Sequence, residues 1–255
     1  MALNFASTDR VDHSADSGMD DLLVNSMVAW FRYSSWINYA SLLNKEPSGL
    51  NRSRWELGGT TGNLLLTFSG DAGANTVSTN TTGAPLSSAD TWYYAAFTVD
   101  KGGAAGDKVR IYIGDLTTPA AVEAINANQD NAISSVANTV GLRIGNSAPL
   151  SGPFPGDIAI LGFWANVRLS LEEIRAQQFS MFPSVNLSNL RQFCHYGWNG
   201  VGSQVDWSGN RNNGTVTGAT LANHVPLGYV PPSAAKILQA EGRVEPFIMS
   251  RPGIV

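Results

Sequence analysis

Hydrophobic and polar positions alternate with a period of two along much of this chain. The pattern is clearest over residues 91–115. Trp92, Tyr94, Ala96 and Thr98 fall on one face of that reading, and Tyr93, Ala95, Phe97 and Val99 on the other. Both faces carry aromatic or β-branched residues, so neither is freely solvated. A polar, glycine-rich turn, Asp100 to Asp107, follows. Val109, Ile111 and Ile113 then alternate with Lys108, Arg110 and Tyr112. Two alternating runs joined by a glycine-rich loop predict an antiparallel hairpin, here the centre of a β-sandwich.

The rest of the chain reads the same way. Short strands are expected at residues 2–5 and 10–13, and a strong one over 22–34. Others are expected at 40–45, 54–58, 63–68 and 140–144, each bounded by Gly, Pro, Ser or Asn turns. Residues 69–88 read as loop with a weak strand near Val77, and 117–138 fit no single element. Residues 157–165, DIAILGFWA, are almost wholly apolar, as in a strand covered on both sides. The one clear helix signal is 170–179. Ser170 can cap the free N–H groups, and Glu173 completes a capping box. Pro183 ends that region. We therefore divide the chain into a sandwich, residues 1–182, and a C-terminal extension, residues 183–255, with one strand over 190–198 and a turn-rich stretch over 205–218.

Composition narrows the function classes. A net charge of −4 supplies no basic footprint for nucleic acid or for an anionic membrane surface. Only 14% of residues are charged, below the usual quarter, and Gly, Ser, Thr and Asn take their place. The single cysteine, Cys194, excludes an intrachain disulfide. The first residues lack the basic and apolar segments of a secretory signal, so synthesis in a cytoplasm is expected. No apolar run reaches the ~18–20 residues of a membrane-spanning helix.

Six segments in order carry a resemblance. They are Val28-Ala29-Trp30-Phe31, the Trp92 to Asp100 strand, Val109 to Gly114, Gly141 to Asn146, Phe154 to Ile160, and Leu169-Ser170-Leu171-Glu172-Glu173-Ile174. Together they resemble the concanavalin A-like, laminin-G-like domains found in phage and bacterial surface proteins. The resemblance covers roughly residues 1–180. Asp206 to Thr220 is similar to a run seen at the edge of such domains. It implies an all-β, antiparallel jelly-roll sandwich with one short helix, followed here by the extension. One departure matters: Ala159-Ile160 stands where the family usually has an acidic pair. Asp157 alone does not make a calcium site.

The chemistry-bearing residues point to binding. Glycosidases of this fold flank the scissile bond with two carboxylates at even spacing along a strand, and no E-x-D-x-E triplet occurs. Glu172 and Glu173 read as helix-cap residues. His13, His195 and His224 lie far apart in sequence. Cys194 and His195 are neighbours on a strand and face opposite ways, so they do not form a nucleophile–base pair. Asp9, Asp12, Asp16, Asp20 and Asp21 read as a solvated acidic loop. No catalytic residue, metal or cofactor is expected.

Trp36, Tyr39 and Trp55 are the candidate ligand-binding residues, because aromatic rings beside Asn or Asp stack on sugars. The tail, residues 225–255, holds Val230, Ile237, Leu238, Phe247, Ile248 and Met249, too apolar for a solvated tail. It reads as an arm that packs on a neighbour. The expectation is a non-enzymatic virion structural protein, either a capsid decoration or a tail or fibre component. It would assemble as a homo-oligomer, a trimer by preference, with other virion proteins as partners. The alternative is a carbohydrate-binding module for surface glycans.

Overall fold

The structure is a computed structural model that describes residues 1–19, 24–45, 52–70, 75–126, 140–147 and 151–227. In chain order the strands are β1 (Ala2–Phe5), β2 (Arg10–His13), β3 (Val24–Tyr33), β4 (Ser41–Lys45), β5 (Arg52–Leu57), β6 (Leu64–Gly70), β7 (Asn75–Asn80) and β8 (Tyr93–Asp100). They continue with β9 (Val109–Asp115), β10 (Ala121–Val122), β11 (Arg143–Ile144) and β12 (Gly156–Ala165). After the helix α1 (Leu171–Gln178) come β13 (Leu190–His195), β14 (Ser203–Gln204), β15 (Gly214–Thr217) and β16 (Thr220–Ala222).

The strands form two antiparallel sheets. One runs β10-β9-β8-β3-β12-β1-β16, and the other β14-β15-β2-β11-β4-β5-β6-β7. The expected hairpin is β8–β9, with Phe97 opposite Ile111 and Val99 opposite Val109. β3 occupies one edge of β12 from Gly156 to Ala165. On the other edge β1 takes the first residues, Leu3 opposite Ile158, and β13 takes the later ones, Cys194 opposite Leu161.

Two apolar layers result. Phe5, Phe31, Trp55, Leu66, Phe97 and Phe154 fill the space between the sheets. Trp30, Tyr94, Tyr112, Trp164 and Phe193 belong to a second layer, on the outward face of the first sheet, where α1 contributes Ile174. This explains why β8 and β12 are apolar on both faces: each is sandwiched between the core and the helix layer. The helix is pinned by its own backbone, since Trp30 Nε1 donates to the Gln178 carbonyl at 2.9 Å and Tyr94 Oη to that of Ile174 at 3.1 Å.

The capping box forms as the sequence predicts: Ser170 Oγ accepts from Glu173 N, and the Glu173 carboxylate accepts from Ser170 N. Ser170→Ala should therefore cost about 1 kcal/mol of stability, read as a lower urea midpoint; an unchanged midpoint would show that tertiary contacts alone hold the helix end.

Strands also form beyond residue 182. β13 pairs with β12, β16 with β1, and β15 with β2. Residues 190–222, which the sequence pattern assigns to an extension, thus contribute strands to both sheets. Those strands are two to four residues long apart from β13, too short for alternation to register. Residues 228–255, most of the expected arm, lie outside the described residues, as do Asp20 and Asp21.

Candidate functional site

The outward face of the first sheet is not covered along its whole length by α1. Where β1, β3, β12 and β16 meet, an open cleft of about 580 Å³ is lined by Asn4, Arg32, Asp90, Asp157, Thr220 and Asn223. Strand pairing builds it. Asn4 sits opposite Asp157 on one side and Thr220 on the other, and Asp157 sits opposite Arg32. This single cross-strand row brings together residues far apart in the chain. Gly156 lies beside it, opposite Tyr33. A Cβ there would collide with the Arg32 carbonyl oxygen, so glycine permits the close approach of β12 to β3 at the cleft floor.

The floor is a fixed polar network. Asp157 Oδ1 accepts from Asn4 Nδ2 at 2.7 Å. Its Oδ2 accepts from Arg32 Nε at 2.9 Å and also from Arg32 Nη2. The Arg32 guanidinium in turn lies 5.3 Å from the Trp92 ring centre, in cation–π range. The Asp157 side chain is 4% exposed and that of Arg32 31%. The carboxylate is therefore a buried brace, while part of the guanidinium, with five N–H donors in all, faces the cleft. Asp90 stands on the rim with φ +57°, and its N–H donates to the Tyr33 carbonyl at 2.8 Å. Ser34 and Leu221 complete the wall, the latter 43% exposed.

Such a surface offers fixed donors and fixed acceptors, which can orient a hydroxylated ligand. Both oxygens of Asp157 are already engaged as hydrogen-bond acceptors.

The three sequence-predicted site residues do not come together here. Trp55 is fully buried, edge-on to Phe97 at 5.0 Å and 84°; it packs the core and has no face to offer a ligand, which corrects its assignment as a binding residue. Trp36 packs edge-on against Tyr33 at 5.4 Å and donates to Asn38 Oδ1 at 3.0 Å. Tyr39 is exposed, with φ +62°, beside Gly59. Trp36 and Tyr39 share the loop that follows Ser34, next to the cleft but outside its lining. Arg32, Asp157, Asn4 and Asn223 carry no local motif; only the strand register assembles them.

Other candidates resolve into structure. Asp12 pairs with Arg10 and Arg143, and Asp16 Oδ2 accepts from Asn212. Among the described residues no group of three His, Cys, Asp or Glu could hold a metal. Cys194 is buried, and burial pushes its thiol up to about 12, far from a reactive thiolate. The histidines are not all dispersed in space: His195 stacks on His224 at 5.9 Å and meets Trp198, Trp207 and Phe182. Trp198 and Trp207 are half exposed, an aromatic surface that the turn-rich reading of this stretch did not anticipate.

Two stacked antiparallel sheets with these pairings, together with the likeness of known structures, decide the architecture. The fold is an all-β, antiparallel jelly-roll sandwich. A candidate carbohydrate-binding protein from Bacteroides ovatus superposes with a TM-score of 0.59 at 19% identity, over 88% of this chain and 59% of that one. Tailspike protein 2 of an Escherichia coli O157:H7 bacteriophage matches at 0.54 and 11% identity, over 75% of this chain and 26% of that one. The enzymatically active domain of a bacteriophage tailspike protein 2 matches at 0.55 and 12% identity, over 74% and 29%. The chain thus spans 59% of the first of these proteins and less than a third of the other two. No family model and no curated sequence matches the chain.

Proposed function

We propose that the chain is a non-catalytic carbohydrate-binding domain. The observation that carries this is the cleft of about 580 Å³ floored by the braced Asn4–Asp157–Arg32 row. Its volume lies within the few-hundred to thousand Å³ range of small-ligand sites, and its mixture of donors and acceptors suits sugar hydroxyls. The description of the Bacteroides ovatus neighbour as a candidate carbohydrate binder supports the reading. The engaged oxygens of Asp157 support the absence of catalysis.

The reading is tested by filling the cleft. Asn223 is exposed, so Asn223→Trp can be accommodated without disturbing the core. Binding to an oligosaccharide array should fall at least ~100-fold in this variant, while Trp36→Ala and Tyr39→Ala retain wild-type affinity. Binding that survives Asn223→Trp and disappears with Tyr39→Ala would move the site to the neighbouring loop. An array silent for the wild-type protein would remove the reading.

A virion structural role is the second reading, favoured by the order of the six motifs and by the fold shared with tailspike protein 2. The two are compatible, since a tail or fibre component can carry a glycan-binding domain. This second reading expects the protein in purified particles and a homo-oligomer, a trimer by preference, in sedimentation experiments.

A further inference from the structure

We propose that the cleft selects neutral sugars over acidic ones, an inference that rests on the carbohydrate-binding reading above. The argument is one of unmatched charge. Among the described residues Arg32 is the only basic side chain that lines the cleft, and Asp157 already neutralises it through both Nε and Nη2. Asp90 is a second carboxylate in the lining. It is exposed and has no ion-pair partner among the described residues. An incoming carboxylate or sulfate would meet a guanidinium whose charge Asp157 already balances and an Asp90 carboxylate whose charge nothing among the described residues balances.

A neutral sugar meets the opposite situation. The Asp90 carboxylate can accept from two adjacent hydroxyls, and hydrogen bonds to a charged acceptor are the stronger kind. The guanidinium hydrogens not used by Asp157 can donate to a hydroxyl oxygen. Ser34, Thr220 and Asn223 can each donate or accept. The guanidinium sits between the Trp92 ring and Asp157, so it is held in place before the ligand arrives and little ordering entropy opposes binding.

The test uses the full chain on an array printed with both neutral oligosaccharides and uronate-containing, sialylated or sulfated ones, and compares wild type with Asp90→Asn. Asparagine tolerates the left-handed backbone of this position, so the variant keeps the fold while losing the charge. The expected result is binding confined to neutral glycans and weakened ~10-fold by Asp90→Asn. Binding of acidic glycans that Asp90→Asn strengthens would overturn the inference while leaving carbohydrate binding in place. A wild-type protein that binds no glycan of either kind would overturn both. Addition of a chelator should leave the neutral-glycan signal unchanged; loss of signal would mean that a cation occupies the Asp90 carboxylate, contrary to the direct hydroxyl contacts argued here.

Discussion

Trp55→Ala is expected to lower the unfolding free energy by about 3–5 kcal/mol and to leave glycan affinity unchanged for the molecules that stay folded. The ring is fully buried between the sheets. Trp55 pairs with Leu43 on β4 and Leu66 on β6, and its side chain meets Phe97 of the opposite sheet edge-on at 5.0 Å. Truncation would empty the largest side chain of this part of the core, where relaxation is resisted from both sheets. Against a total stability of about 5–15 kcal/mol, that is a large share. The indole also has a weakness: Nε1 is buried with no hydrogen-bond partner, which costs about 1–3 kcal/mol. Trp55→Phe should therefore be much milder than Trp55→Ala, since it removes the orphaned donor with part of the ring. Equilibrium urea unfolding of the two variants separates these contributions. Full stability in Trp55→Ala, combined with lost glycan binding, would return the residue to a ligand site.

The inward placement of Trp55 was readable from its neighbours. Arg54 and Glu56 flank it, and alternation on a half-buried strand sends the residue between two charges toward the core. Reading the ring as a sugar platform set side-chain chemistry above strand parity, and parity prevailed. The same physics made the β8–β9 hairpin legible, because both of its faces are packed and every position reports on burial. It also made the helix start legible, since a capping box is a local hydrogen-bond pattern between residues three apart. The cleft has no such local signature. Arg32 and Asp157 are 125 residues apart, and Asn4 and Asp157 are 153 apart. Each is an ordinary polar residue in its own strand, and only the antiparallel register of β1, β3, β12 and β16 lines them up. The pairing partners of β1 and β2 were hidden for a related reason. β14, β15 and β16 are short strands whose exposed residues carry little hydrophobic pattern, so the chain past Pro183 reads as an appendage although residues 190–222 add strands to both sheets.

Acid should destabilise the domain as the pH falls below 6.5. His13 and His195 are both buried, and in each the largest cause, desolvation, lowers the pKa from 6.5 to about 4. Around His13 the Asn212 carbonyl, Asp206 and Asp12 act against that shift without cancelling it. Around His195 the neighbouring His224 reinforces it, while a hydrogen bond with the Met181 backbone opposes it. A carbonyl can only accept, so the 2.8 Å contact to Asn212 O makes His13 Nδ1 the donor, and Nε2 then accepts from Tyr196 Oη at 3.0 Å. That neutral tautomer uses both nitrogens. His195 stacks on His224, which disfavours a positive charge beside it. Between pH 6.5 and about 4 the unfolded chain binds protons that the folded chain refuses. Stability is therefore complete above pH 6.5 and falls as the pH drops toward 4, by at most about 3 kcal/mol for each histidine. Asp107 and Asp115, whose pKa values lie below 3.8, lose their contributions only at lower pH, and Glu123, raised by burial, works in the opposite sense. Urea unfolding at pH 7.5 and 4.5 should show a clear fall in midpoint. His195→Phe keeps the aromatic packing and removes one titrating group, so it should abolish roughly half of that fall. A midpoint unchanged between the two pH values would mean that both rings reach water in the folded state, and the second apolar layer would then have to open around His195.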